Sequence, residues 1–292
     1  MKSHDFGQFL FNSGRLSEVQ MLKVIGAARS SEPTLAVEAM FIQLISSTEL
    51  TDIFRSIRAS TDGATMPLAS VISAMDEMVR RLITQRQALR AEQLKDGQSI
   101  RLAQALLDNG LTNFLKLERM LRAYYDLQVP PLESMLTIYY ERLRSRLTID
   151  FPFAIDLIRG LHTFISEEFH STVLILPPNE VDHSDKLGAS VKLIGDLPVV
   201  TGIFADERGL LDLSRRCDDS VETLEDALDV TAELLNVFTG HFAVKAATRR
   251  GLDEEPEPPR YGTLSGALSG FAMLTDFGRF YIYVNGDEIF ES

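Results

Sequence analysis

Apolar residues recur at helical spacing through the first half of the chain, and near Thr148-Ile149-Asp150-Phe151-Pro152 that pattern gives way to short β-rich runs. This change of period constrains the fold more than any other feature, because helices and strands present their apolar faces at different intervals. Before it, Leu16, Val19, Leu22 and Ile25 predict a helix over Leu16–Ala28. The same spacing predicts helices over Leu35–Ile45, Ala69–Leu94, Leu115–Leu127 and Leu132–Leu147. Gly14, Gly63 and Gly110 fall between helical segments, where a helix C-terminus takes a left-handed residue. Pro130-Pro131 ends one helix and opens the next. Residues 1–148 therefore read as an all-α domain. After the change, a helix over Phe153–Phe169 precedes β-rich runs at Thr172–Leu176, Ala189–Leu197 and Val199–Phe204. Turn residues at Pro177-Pro178-Asn179, Lys186-Leu187-Gly188 and Asp206–Gly209 separate them. A long helix over about Val221–Ala247 follows, then a polar extended loop at Asp253–Pro259. A hairpin closes the chain, Thr263–Leu274 and Arg279–Val284 joined at Thr275-Asp276-Phe277-Gly278. Strands interleaved with two helices predict an α+β domain over residues 149–292, with two main helices packed on a mostly antiparallel sheet.

An internal repeat is visible in the helical half. Phe6-Gly7-Gln8-Phe9-Leu10-Phe11-Asn12-Ser13-Gly14 lines up with Leu102-Ala103-Gln104-Ala105-Leu106-Leu107-Asp108-Asn109-Gly110, and Met21 and Ile25 match Leu117 and Leu121 at the same offset. One helix-turn-helix unit is used twice on this reading.

With 292 residues the chain has room for two domains. Its 45% hydrophobic and 24% charged content is that of a globular protein and excludes wholesale disorder. The net charge of -13 argues against nucleic acid as the main partner and against a polybasic membrane-binding surface. A single cysteine, Cys217, excludes an intrachain disulfide and a thiolate metal cluster, as expected of a reducing compartment. No apolar stretch follows Met1-Lys2-Ser3-His4-Asp5, and no run approaches the roughly 18 apolar residues that a membrane span needs. The expectation is a cytoplasmic protein.

The long helix carries the most informative segment, Asp229-Val230-Thr231-Ala232-Glu233-Leu234-Leu235-Asn236-Val237-Phe238-Thr239-Gly240. At about 100° per residue, Asp229, Glu233, Asn236 and Gly240 fall within roughly 60° of one another. Ala227, Thr231, Leu234, Phe238 and Phe242 fall on the opposite side. The helix should bury that apolar face and show a carboxylate, an amide and bare backbone along one ridge. Asn is a poor helix former, and an interior Gly costs roughly 1 kcal/mol against Ala, so both residues invite a reason beyond folding.

The spacing Asp229-x-x-x-Glu233-x-x-Asn236-x-x-x-Gly240 resembles the signature of CheX/CheC-type chemotaxis phosphatases, and the order of elements over residues 150–292 is similar to that family's. The resemblance implies a phosphatase acting on the phosphoaspartate of a response-regulator receiver domain. Asn236 would orient the attacking water, and Glu233 would pair with the receiver's active-site lysine. Asp229 and Gly240 are the associated binding positions. No metal is implied from this chain, since Mg²⁺ would come with the partner receiver. The first helix of this half has Glu167-Glu168-Phe169-His170 and no Asn three residues after Glu167, so one site is expected, as in CheX-like members. The resemblance also allows a homodimer. The alternative class is a non-catalytic receiver-binding or scaffold module.

In the helical half, Arg101-Leu102-Ala103-x-x-Leu106-x-x-x-Gly110 with Leu117 and Leu121 resembles half of the N-terminal domain of type II secretion ATPases, some of which bind cyclic di-GMP. The first copy has Asp5 at the Arg position. A helical adaptor is the preferred reading, with a cyclic di-GMP-responsive one as the alternative. His4, His162, His170, His183 and His241 form no metal-ligand spacing. Asp182-His183-Ser184-Asp185 lists triad residue types, but loop neighbours cannot take triad geometry.

Overall fold

The computed structural model describes residues 6–60, 68–86, 97–143, 150–177, 186–263 and 270–286. The chain divides into two compact units, Met1–Pro130 and Pro131–Ser292.

The first unit is helical among the described residues: α1 (Phe6–Asn12), α2 (Glu18–Ala28), α3 (Leu35–Phe41), α4 (Ser47–Ser60), α5 (Leu68–Arg86), α6 (Gly97–Asp108) and α7 (Phe114–Tyr125). The helix expected to reach Ile45 stops at Phe41, and the chain turns through Gln43 at φ 59. The expected helix over Ala69–Leu94 is seen as far as Arg86; Gly63 and the stretch beyond Arg86 lie outside the described residues. α4 falls inside the region predicted all-α but outside the individually predicted helices; Leu50, Ile53 and Ile57 are buried at helical spacing on it. Val19 was expected in the core and is 76% exposed.

The repeat extends to individual hydrogen bonds. Gly14 and Gly110 sit at φ 64 and 66. Each donates its N–H to the carbonyl three residues back, Phe11 and Leu107, and the next residue donates to Leu10 and Leu106. Gln8 donates to Asn12 as Gln104 donates to Asp108, both at 2.8 Å. Ser17 and Asn113 then cap α2 and α7, each accepting from the backbone N–H three residues on. Local chemistry at one sequence offset thus builds the same helix-turn-helix twice.

The second unit comprises α8 (Pro131–Leu143), α9 (Phe151–Glu168), β1 (Leu174–Ile175), β2 (Leu187–Gly195), β3 (Val199–Ala205), α10 (Glu207–Cys217), α11 (Leu224–Arg250), β4 (Glu254–Pro256), β5 (Arg260–Thr263), β6 (Gly270–Thr275) and β7 (Gly278–Asn285). The strands form an antiparallel sheet in the order β1-β6-β7-β3-β2-β4, with β5 also paired to β2. One core gathers alternate residues of the strands, such as Val191, Ile203, Met273 and Ile282, with the apolar faces of α8, α9, α10 and α11. The fold is α+β, as the pattern of periods predicts.

Three features differ from expectation. The boundary expected at 148 falls instead after Pro130, because α8 packs with the sheet. Leu132, Met135, Leu136 and Tyr139 join the second unit's core, and the Tyr139 ring lies 4.1 Å from that of Phe271. α10 occupies residues expected to begin as a turn; Asp206 caps it by accepting from the Gly209 N–H. The loop expected at Asp253–Pro259 contains edge strand β4, and β5 follows it, both paired with β2. Pro256 suits an edge, where a missing N–H costs no ladder bond.

Candidate functional site

α11 is specified at both ends. Thr223 and Asp226 form a reciprocal capping box at its start, and Gly251 closes it at φ 67. Glu225 and Asp226 stand at its N-terminus and Arg249 and Arg250 at its C-terminus, the arrangement the helix dipole favours. The result is an uninterrupted rod of 27 residues lying on β2, α9 and α10. Its inner face is the one expected: Ala227, Thr231, Leu234, Phe238 and Phe242 are all buried. At roughly 1.5–3 kcal/mol for each large apolar side chain, that face fixes the helix's rotation.

The outer face follows by geometry. Asp229 and Glu233 are exposed, and Asn236 and Gly240 are half-buried. Among the described residues, the side chains of Asp229, Glu233 and Asn236 make no hydrogen bond or ion pair. The Asn236 amide therefore keeps its donors and its acceptor for another molecule. A Cβ built on Gly240 meets nothing within 4 Å, so the fold itself does not require glycine there. The four predicted residues share one open ridge.

The bulky residues flanking Gly240 divide between the two faces. Phe238 and Phe242 turn inward, while Val237 is 41% exposed and Val244 67% exposed beside the ridge. His241 is exposed and meets the Phe164 ring edge-on at 6.5 Å. Val244 was not singled out from sequence, although it stands seven residues from Val237, two turns along the same face. On α9, Glu167 is exposed, and the helix ends at Glu168 before His170 at φ 47, so no second ridge forms there.

The remaining candidates have structural roles or lie outside the described residues. Cys217 is exposed at the end of α10, but burial around its sulfur, with Glu168 and Asp218 nearby, pushes its thiol up to about 11. That direction lowers its thiolate fraction below that of an ordinary cysteine and argues against a nucleophilic role. His162 is buried, with Nε2 3.1 Å from the Val173 carbonyl. Arg101 is exposed on α6. Asp5, His4 and the Asp182–Asp185 run lie outside the described residues. Among the described residues no group of three or more His, Cys, Asp or Glu could hold a metal ion, and no helix is long and apolar enough to cross a membrane.

No family model matches the chain, and no curated protein matches it. Solved structures do. The second unit is similar to CheX- and CheC-like chemotaxis proteins. CheX from Desulfovibrio desulfuricans shares 14% identity over 46% of this chain and 97% of its own, with a TM-score of 0.37. CheX from Vibrio vulnificus gives 14% identity, 46% and 95% coverage and a TM-score of 0.38. A CheX from Borrelia burgdorferi, described in a complex with CheY, beryllofluoride and magnesium, gives 12% identity, 44% and 94% coverage and a TM-score of 0.31. The likeness of the second unit to them is one of fold.

Proposed function

We propose that the CheX-like unit dephosphorylates the phosphoaspartate of a response-regulator receiver domain, with α11 as the element that enters the partner's site. The observation that carries this reading is the open ridge, where an unengaged amide and an unengaged carboxylate stand one helical turn apart on a rigid helix. Water attacks the phosphorus in line with the bond to the aspartyl oxygen. That bond breaks, the receiver's carboxylate is restored and inorganic phosphate leaves. The Asn236 amide orients the water by donating and accepting at once. Glu233 pairs with the receiver's active-site lysine and fixes the register of the two proteins. The receiver's own site would hold the Mg²⁺ that offsets charge on the phosphoryl group, and this chain would supply no ligand to it.

Positioning one water is chemistry that an amide performs without changing charge, so neither a titrating base nor a metal is needed from this chain. The first unit then serves as a helical adaptor. The test is loss of phosphate from a purified phosphorylated receiver of the same host. The wild-type chain should accelerate it, and Asn236→Ala should abolish the acceleration while binding the receiver within about threefold of wild type. Wild-type protein that binds receivers but never accelerates the loss would reduce the function to docking.

A further inference from the structure

α11 exposes two large apolar side chains, Val237 and Val244, which stand 41% and 67% open to solvent. They are seven residues apart, so at about 100° per residue they fall within roughly 20° of one another around the helix. Val237 lies one turn beyond Glu233, and Val244 lies one turn beyond Gly240, so each is a direct neighbour of a ridge residue. With Gly240 they form a strip that begins beside Asn236 and ends about 12 Å from it along the helix axis. Neither valine takes part in the proposed chemistry.

Three properties set this strip apart from an ordinary helix surface. The first is composition: most other exposed positions of α11 are charged, among them Glu225, Asp229, Glu233, Lys245 and Arg249. The second is cost. Valine loses rotamer freedom in a helix and glycine loses backbone freedom, so residues 237, 240 and 244 all weaken α11 relative to alanine. Packing within the chain recovers little of that loss, because both valines keep much of their surface in water and a Cβ on Gly240 would meet no atom within 4 Å. The third is neutrality. Lys245 and Arg249 share one lining beside the strip with Glu167 and Glu168, so charge sets no preference there and the contact on offer is apolar.

Size and continuity define the occupant. Two valines and a bare stretch of backbone are a small part of the roughly 800 Å² per partner that a stable interface buries, so the strip alone holds no independent dimer. It adjoins Glu233 and Asn236 turn by turn, so a body seated on the ridge covers the strip as well. We infer that Val237, Gly240 and Val244 are the apolar half of the receiver-docking surface and take an aliphatic patch lying within about 12 Å of the receiver's phosphoryl group. The inference rests on the reading of α11 as the receiver-docking helix and adds to it a basis for choosing among receivers. A phosphoryl group identifies no particular receiver, whereas the surface beside it does. A receiver with charged side chains at that place has to desolvate them against valine.

The test uses the full chain with Val237→Gln and Val244→Gln together, since glutamine is neutral, polar and a better helix former than valine. The urea midpoint should hold or rise. Calorimetry against a host receiver loaded with beryllofluoride should show Kd rising about tenfold. KM for the phosphorylated receiver should rise in parallel, with kcat within about twofold of wild type. The paired change to alanine, which removes the apolar groups and adds nothing, should weaken binding in the same direction. Unchanged Kd in both double variants overturns the docking strip, and the catalytic reading of the ridge survives that result if Asn236→Ala still loses turnover. Full turnover by Asn236→Ala removes the catalytic reading, and the strip then stands or falls on Kd alone. A fall in kcat with KM unchanged, or a lowered urea midpoint in both variants, would overturn the docking role. A wild-type dimer that becomes monomeric in the glutamine variant, seen by light scattering, would assign the strip to a second copy of this chain and overturn the receiver assignment.

Discussion

At Gly240 the needs of the fold and of the proposed chemistry pull in opposite directions. Glycine in a helix interior is worse than alanine by roughly 0.5–1 kcal/mol, and no neighbouring atom would obstruct a methyl group there. Gly240→Ala should therefore raise the stability of the isolated protein by about that much in urea denaturation. It should also lower turnover of a phosphorylated receiver, because bare backbone beside Asn236 lets the partner approach. A destabilised Gly240→Ala protein would mean that the fold does require glycine at this position. Glu254 offers a pH-dependent case. Its carboxyl is buried at the start of β4; Oε1 accepts from the Leu197 N–H at 2.7 Å, and Oε2 has no partner. Burial, with Asp196 and Asp253 nearby, holds its pKa above the ordinary carboxylate range. A folded-state pKa above the unfolded one means the group's contribution is fully present below the unfolded value and is lost as pH rises through the folded one. Glu254→Gln should thus gain in Tm over wild type between pH 4 and pH 7, and equal differences at both pH values would contradict the assignment. For Cys217, a thiol at about 11 leaves on the order of one thiolate in a thousand at pH 8. Labelling by iodoacetamide should be far slower than for free cysteine and should accelerate only on unfolding.

At the scale of the element, α11 owes its definition to its caps. Thr223→Ala breaks the capping box and should cost about 1 kcal/mol in urea denaturation. That helix was legible in the sequence because its apolar residues are large and regularly spaced, so its rotation and hence its ridge followed from about 100° per residue. α10 was not legible, since Asp206 and Gly209 imitate a turn and only Leu210, Leu211 and Leu213 mark an apolar side. The signal was present in charge placement, with Glu207 in the first turn and Arg215 and Arg216 in the last. β4 and β5 were hidden because three- and four-residue edge strands carry no readable period, and Pro256 and Pro258 speak for a loop. Their pairing to β2 is decided by the sheet rather than by their own sequence. The packing of α9 on α11 was illegible for a different reason. Phe164 of α9 meets Phe238 of α11, 74 residues apart in sequence, for reasons that no local pattern states.

At the scale of the molecule, the placement of α8 decides what the second unit needs in order to fold. Leu132, Met135, Leu136 and Tyr139 are buried in its core, and Arg159 forks onto Glu133 through two bonds of 2.9 Å. At roughly 1.5–3 kcal/mol for each large apolar group, losing α8 removes an amount comparable with the whole stability of an ordinary domain, about 5–15 kcal/mol. A fragment spanning residues 131–292 should fold cooperatively, and one spanning 149–292 should show a Tm lower by ten degrees or more. Equal Tm values would restore the boundary suggested by sequence. The proposed phosphatase activity depends on the α11 ridge entering a phosphorylated pocket on another protein. A crystal structure of the full chain with a beryllofluoride-loaded receiver tests that most directly. It should place the Asn236 amide within hydrogen-bond reach of a water in line with the beryllium–aspartate bond, with Glu233 on the receiver's lysine. A complex in which α11 faces solvent while the receiver docks elsewhere would contradict it.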